Sequence, residues 1–328
     1  MSEKIGMNAK MSFMLIVIIT LVIFAVSLFI GPKIINPFMI NHVEKEIIYS
    51  IRLPRIIVSV LMGMALGASG AVLQGLLRNP LADPYILGIS SGASLTAAFG
   101  LLSGSYFFGR FTIPLTAFIG ASIVSIVVGA FGWKRGRIWP ERLLLAGVGL
   151  SFLFHAALML LMSISTDEGL RRAVLWIFGD LSIADWSLIP YGSVFVISGF
   201  CLSFSRAKAL NALILGDELA HSLGFSVQRE RMLLFISIAL MTAASVSLGG
   251  IIGFIGLLMP HIARFLISAD SRVLIPASAI SGGAFLCIAD LIGRSIMPPL
   301  EIPSGIVTAL IGSPYFLYLL RRRDVLCI

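Results

Sequence analysis

The chain has 328 residues, of which 58% are hydrophobic and only 12% charged, with a net charge of +8. A water-soluble domain carries roughly 25% charged residues, so this composition excludes a soluble globular protein, and a mean hydropathy of +1.01 makes the lipid bilayer the expected solvent. The positive balance does not call for a nucleic-acid partner, because Lys and Arg gather in the cytoplasmic loops of membrane proteins.

A helix needs roughly 20 apolar residues to cross a hydrocarbon layer about 30 Å thick. On that criterion the sequence predicts an all-α polytopic membrane protein of about ten spans, near 11–31, 54–77, 84–103, 111–131, 141–164, 187–205, 230–248, 250–268, 274–293 and 304–320. Residues 1–328 then form one transmembrane domain, with no hydrophilic stretch left for a soluble one. The first apolar run, Met11 to Ile30, is too long for a signal peptide and ends in Gly31-Pro32, so it reads as an uncleaved span. With both termini cytoplasmic, about twice as many Lys and Arg fall inside as outside, which matches the positive-inside rule in a cytoplasmic (inner) membrane. The exterior then holds Arg52, Arg55 and Arg294, which that rule does not explain.

Within the spans, Gly63 and Gly67, and later Gly88 and Gly92, sit at small-xxx-small spacing, which lets helix backbones approach in lipid. Packing within one bundle is the expectation. The runs 67–80 and 249–260 echo each other, each leading from clustered glycines to a proline, as in transporters built from inverted repeats. Pro80 and Pro84 bracket a turn that contains Asp83, and Pro260 should kink or break the eighth span beside His261, read as a structural hydrogen-bonder. Asp290, four residues before Arg294, reads as an i,i+4 ion pair. Cys201, Cys287 and Cys327 fit neither a disulfide framework nor a zinc spacing.

The most informative loop is 205–231. Its centre predicts an amphipathic helix of about two turns: Gly216 precedes it, Asp217 and Glu218 suit the positive N-terminal end, Leu219, Ala220 and Leu223 form the apolar face, and Gly224 stops it. Physics alone leaves two uses open, lying on the membrane or docking into another protein. The sequence has no phosphate-cradling Gly-Lys loop and no HExxH zinc pair, so no catalytic, cofactor or metal residues are expected. Scarce intramembrane acids argue against an ion-coupled secondary carrier, and the missing catalytic cluster against a membrane enzyme.

Seven blocks in order carry a family resemblance: RLPR (52–55), SGAVLQGLLRNPLADPYILG (69–88), LLLAG (143–147), LGDELAHSLG (215–224), GFIGLLMPHIAR (253–264), Ala289-Asp290 and EIPSGIVTALIGSPYF (301–316). The chain resembles the FecCD family, permeases of type II ABC importers for iron-siderophore complexes, haem and cobalamin. The resemblance implies ten helices per subunit, a second permease subunit in a homodimer or heterodimer, two cytoplasmic ABC ATPase subunits and an extracytoplasmic substrate-binding protein. It implies that Leu215, Gly216, Asp217, Glu218, Leu219, Ala220, Leu223 and Gly224 couple to the ATPase, and that Arg52, Arg55 and Arg294 face acidic residues of the binding protein. A ferric siderophore is the expected cargo, with cobalamin or haem as alternatives. Where the family often has Gly-x-Asp-His-Arg, this chain has Ser268-Ala269-Asp270-Ser271-Arg272, and Trp139-Pro140-Glu141-Arg142 replaces small hydroxyl residues near the cytoplasmic gate.

Overall fold

The computed structural model describes residues 2–102, 108–165 and 167–321. It is almost wholly helical: α1 (Ser2–Phe29), α2 (His42–Glu46), α3 (Leu53–Leu77), α4 (Ile89–Leu102), α5 (Thr112–Gly132), α6 (Pro140–Ser163), α7 (Asp167–Ile177), α8 (Leu188–Ser205), α9 (Ala207–Leu215), α10 (Asp217–Ser222), α11 (Val227–Gly249), α12 (Ile255–Leu266), α13 (Ser271–Ser295) and α14 (Ser304–Arg321). A two-residue hairpin, β1 (Trp133–Lys134) and β2 (Arg137–Ile138), joins α5 to α6.

Seven helices, not ten, are long and apolar enough to cross a bilayer among the described residues. The other three expected spans contain the apolar helices Ile89–Leu102, Ile255–Leu266 and Ser304–Tyr318. A 14-residue helix rises only about 21 Å, short of the hydrocarbon thickness. The expected lengths included non-helical chain: the 3-10 turn Pro84–Leu87 before α4, and residues 250–254 before α12. Residue 103, the expected end of the third span, lies outside the described residues, as does Cys327.

The second span is longer than expected. Helix runs without a break over His42–Leu77, 36 residues. Pro54 has no N–H and its ring crowds the carbonyl four residues back. The chain absorbs this with a π-helical segment, Ile47–Arg52, in which Leu53 N–H bonds Ile48 O, so the proline sits inside a continuous rod. In the stretch 165–186, expected as a loop, α7 packs by Ala173 and Trp176, both buried.

The rod is the centre of the bundle. α3 and α13 run antiparallel along a seam where a Cβ on Gly63 would lie 2.2 Å from Gly282 O and one on Gly67 would lie 2.0 Å from Ser278 O. Gly70 meets α12 the same way, 2.0 Å from Gly256 O. The small-xxx-small face thus packs within one chain. The two echoing segments lie against each other here: Gln74 Nε2 donates to Gly256 O at 3.3 Å and Leu257 O at 3.2 Å, and Arg264 donates to Gln74 Oε1. Pro260 is accommodated inside α12 without ending it, and His261 beside it is buried with Nε2 unpartnered among the described residues.

Backbone contact leaves no side chain to yield, so overpacking here costs at least the about 1–3 kcal/mol seen in cores. Gly70→Ala should lower the melting temperature in detergent, whereas Gly149→Ala, with nothing within 4 Å, should leave it unchanged; a thermal-shift assay by size-exclusion chromatography compares the two.

Candidate functional site

The two ends of α3 carry the two polar assemblies that matter. At its C-terminal end Arg78 adopts the left-handed conformation, φ 50°, which turns the chain out of the helix. From there its guanidinium bonds Leu213 O at 2.8 Å and Asp217 Oδ1 at 2.6 Å. Asp217 is the first residue of α10, and its same oxygen takes Arg231 from α11 at 2.8 Å. Two cations thus hold one carboxylate at the head of the short helix.

Local chemistry explains why α10 is short and where it points. Gly216 bridges α9 and α10 at φ 139° and ψ 154°, a region that favours glycine. At the other end Gly224, φ 86°, closes the helix: Phe225 N–H bonds Ala220 O and Gly224 N–H bonds His221 O, the Schellman pattern. Ala220 is fully buried and seats the helix on the bundle. Leu215 at the end of α9, Leu219 within α10 and Leu223 at its C-cap stand 71%, 44% and 59% exposed, with Glu218 exposed beside Leu219. The expected set is therefore divided: Asp217 and Ala220 anchor, while Glu218 and the leucines are presented.

Further ties fix the α9–α10 segment and its neighbours, and sequence reading missed all of them. Arg206 pairs with Glu230 at 3.5 Å. Asn211 of α9 donates to Asp270 Oδ1 at 2.8 Å and accepts from Ser271 N–H. Asp270 caps α13 by accepting from Arg272 N–H and binds the Arg272 guanidinium. Its departure from the family spacing is thus filled by a local network: Ser268 Oγ accepts from Asp270 N–H. The Arg272 hydrogen bonds hold the Asp270 carboxyl down at about 2.

The opposite end of the bundle holds Arg52, Arg55 and Arg294, which are 4%, 7% and 3% exposed. Their guanidinium groups are turned to internal acceptors. Arg52 bonds Leu28 O and Lys33 O. Arg55 grips Asp290 at 2.9 Å and Glu301 at 2.6 Å, and Ser304 Oγ adds a bond to Asp290. Arg294 bonds Ser27 O and lies 3.6 Å from Asp290, the i,i+4 pair read from sequence. Asp290's nearer cation is Arg55, 235 positions away, which no local pattern reveals.

A bundle of long apolar helices with a short tethered helix at one end is the architecture of a polytopic membrane protein. The model of the FecCD transport family matches residues 14–322, so the chain belongs to that family. It is 40% identical over 289 residues to the hemin transport system permease protein of Yersinia pestis, covering 86% of this chain and 85% of that one. It is 40% identical over 288 residues to the cobalamin import system permease protein of Halobacterium salinarum, covering 88% and 77%. It is 38% identical over 322 residues to the Fe(3+)-citrate import system permease protein of Bacillus subtilis, covering 95% of each. A solved metal-chelate type ABC transporter in an inward-facing conformation superposes with a TM-score of 0.86 at 30% identity, covering 94% of this chain and 98% of that one. The protein is a membrane permease subunit of an ABC importer, a family that works with ATPase and substrate-binding partners.

Removing one partner of a buried ion pair costs about 3–5 kcal/mol, so Asp290→Ala should destabilise the fold by that order, with Arg55→Ala in the same background adding little; thermal unfolding of the two single variants and the double variant measures the coupling. The Asp270 carboxyl titrates below its ordinary range, so its stabilising contribution is present above that range and lost as pH falls towards about 2. The melting temperature deficit of Asp270→Ala should therefore shrink on acidification over that window.

Proposed function

We propose that the chain imports an iron chelate, most specifically a ferric siderophore, as one of two permease subunits surrounding a shared pathway. In this reading all ten apolar segments cross the membrane, the three shorter helices doing so with the non-helical chain that precedes them. Both termini lie in the cytoplasm, and two ATPase subunits bind there.

The observation that carries the reading is the geometry of α10. A six-residue helix cannot span a bilayer, yet Glu218 and Leu219 within it and Leu215 and Leu223 at its two flanks are exposed, while Asp217 and Ala220 hold it to the bundle. Exposed apolar side chains on and flanking a short tethered helix suit insertion into a groove of a soluble partner. We assign Leu215, Glu218, Leu219 and Leu223 to contact with the ATPase, Asp217 and Ala220 to anchorage, and Gly216 and Gly224 to the turns that aim the helix. ATP-driven movement of the partner would then reach α3 through Arg78, α11 through Arg231 and α13 through Asn211.

At the opposite end the substrate-binding protein would dock. The burial of Arg52, Arg55 and Arg294 supports a role in shaping that surface, by fixing α1, α3, α13 and the segment before α14, more than direct pairing with an acidic partner. For the cargo, relatives named for hemin, cobalamin and ferric citrate stand at similar identity, and further relatives named for iron(3+)-hydroxamate or siderophore transport favour the iron chelate.

Leu219→Asp combined with Leu223→Asp should abolish copurification of the ATPase subunits and uptake while leaving the permease folded; normal assembly with both substitutions would refute the α10 assignment. In proteoliposomes holding the complete transporter, labelled ferric siderophore should accumulate with ATP, and selective uptake of cobalamin or haem instead would overturn the cargo.

A further inference from the structure

Two cavities meet at Ile138, and the first of them reaches Asp217 of α10. The first is a cavity of about 260 Å³ walled by Arg78, Arg137, Arg231, Asp217 and Glu141, with Gln228 among its polar lining. Its charge is unbalanced. Three guanidinium groups face two carboxylates, and Asp217 is already held by two of the three. Arg231 is 8% exposed, and its Nε has no acceptor among the described residues. Arg137 opens β2, exposed and paired with exposed Lys134, with exposed Arg135 on the turn between them. The site therefore has spare cationic donor capacity, and the complementary ligand is an anion with several acceptor oxygens.

The second is an apolar groove of about 440 Å³ between α5 and α11, bordered by Phe118, Ile126, Ala130, Met232 and Leu240. It ends at Trp133 and Ile138. Ile138 lines both cavities. Its backbone is pinned on both sides: its N–H donates to Gln228 Oε1 at 2.7 Å and its carbonyl accepts from Arg231 at 3.1 Å. Trp133 and Trp139, each 47% exposed, flank it as aromatic residues do at the membrane interface.

An apolar channel along the spans that meets a cationic pocket at one end has the two-part chemistry of an anionic phospholipid. We propose that this is a specific phospholipid site: one acyl chain lies in the α5–α11 groove and the phosphate headgroup sits at Arg137, bridging towards Arg231. Basic pockets between transmembrane helices hold acidic headgroups in this way. The bound phosphate would share Arg231 with Asp217, so lipid occupancy would alter the tether of α10. This assignment does not depend on the cargo or on the partner that α10 meets.

The test is lipid retention by the full-length protein, purified in nanodiscs and read by native mass spectrometry, with phosphatidylglycerol and phosphatidylcholine as probes. Phosphatidylglycerol should be retained in preference to phosphatidylcholine. Arg137→Gln should weaken retention about fivefold, since one basic side chain near a membrane surface contributes about 1 kcal/mol, and Arg137→Lys should preserve it. Ala130→Phe, which fills the groove without touching a charge, should weaken retention as well. Equal retention of the two lipids, or unchanged binding in both Arg137→Gln and Ala130→Phe, would overturn the proposal. So would displacement of the lipid by millimolar inorganic phosphate, which would mark a site for a free anion. Arg137 has no side-chain partner among the described residues, so a lowered melting temperature of Arg137→Gln in phosphatidylcholine would equally count against it, by revealing a structural role.

Discussion

The close backbone approach of α3 to α13 and α12 is the constraint on which the rest of the molecule depends. Without a hydrophobic drive between helices inside lipid, association rests on packing, and at Gly63, Gly67 and Gly70 there is no room for even one methyl group. That contact makes α3 a rod that cannot slide against its neighbours. The rod then carries an arginine at each end: Arg55, joined to Asp290 and Glu301, and Arg78, joined to Leu213 and Asp217. A single rigid element thus connects the surface where α10 is presented to the surface where the binding protein is proposed to dock.

The two ends use charge differently. At the Arg55 end the groups are buried, and their pairing holds four segments in one arrangement. At the Arg78 end the carboxylate of Asp217 is 44% exposed, as is much of Arg78. Exposed pairs contribute little to stability, so this tether is better suited to orienting a helix than to holding the fold. The proposed function calls for both kinds: a fixed frame, and an attachment that a partner could load without unfolding the bundle.

Much of this was legible in the sequence, for reasons that particular residues make clear. The seven long spans follow from unbroken apolar runs such as Val227–Gly249, where hydropathy reports directly on the solvent. The short helix α10 was readable because its limits are set locally, by Gly216 and Gly224 within nine residues of each other. Its anchors were not, because Arg78 reaches Asp217 across 139 positions and nothing in a one-dimensional pattern pairs them. The extension of the second span was hidden by Pro54, which reads as a helix start but is absorbed by the π-helical segment before it. The three arginines at the end opposite α10 were visible as an excess over the charge rule, yet their burial followed from tertiary packing alone.

One quieter feature ties two distant parts of the bundle together. The helical ladder is interrupted at residues 250–254 before α12 and again at the 3-10 turn before α4. These interruptions belong to segments far apart in the chain, but the Ile252 N–H donates to the Tyr85 hydroxyl at 3.2 Å, and Pro84 packs against Gly256. Freed backbone groups deep in a membrane protein must find such partners. The two breaks are therefore sutured to each other, so that a displacement at one must be answered at the other.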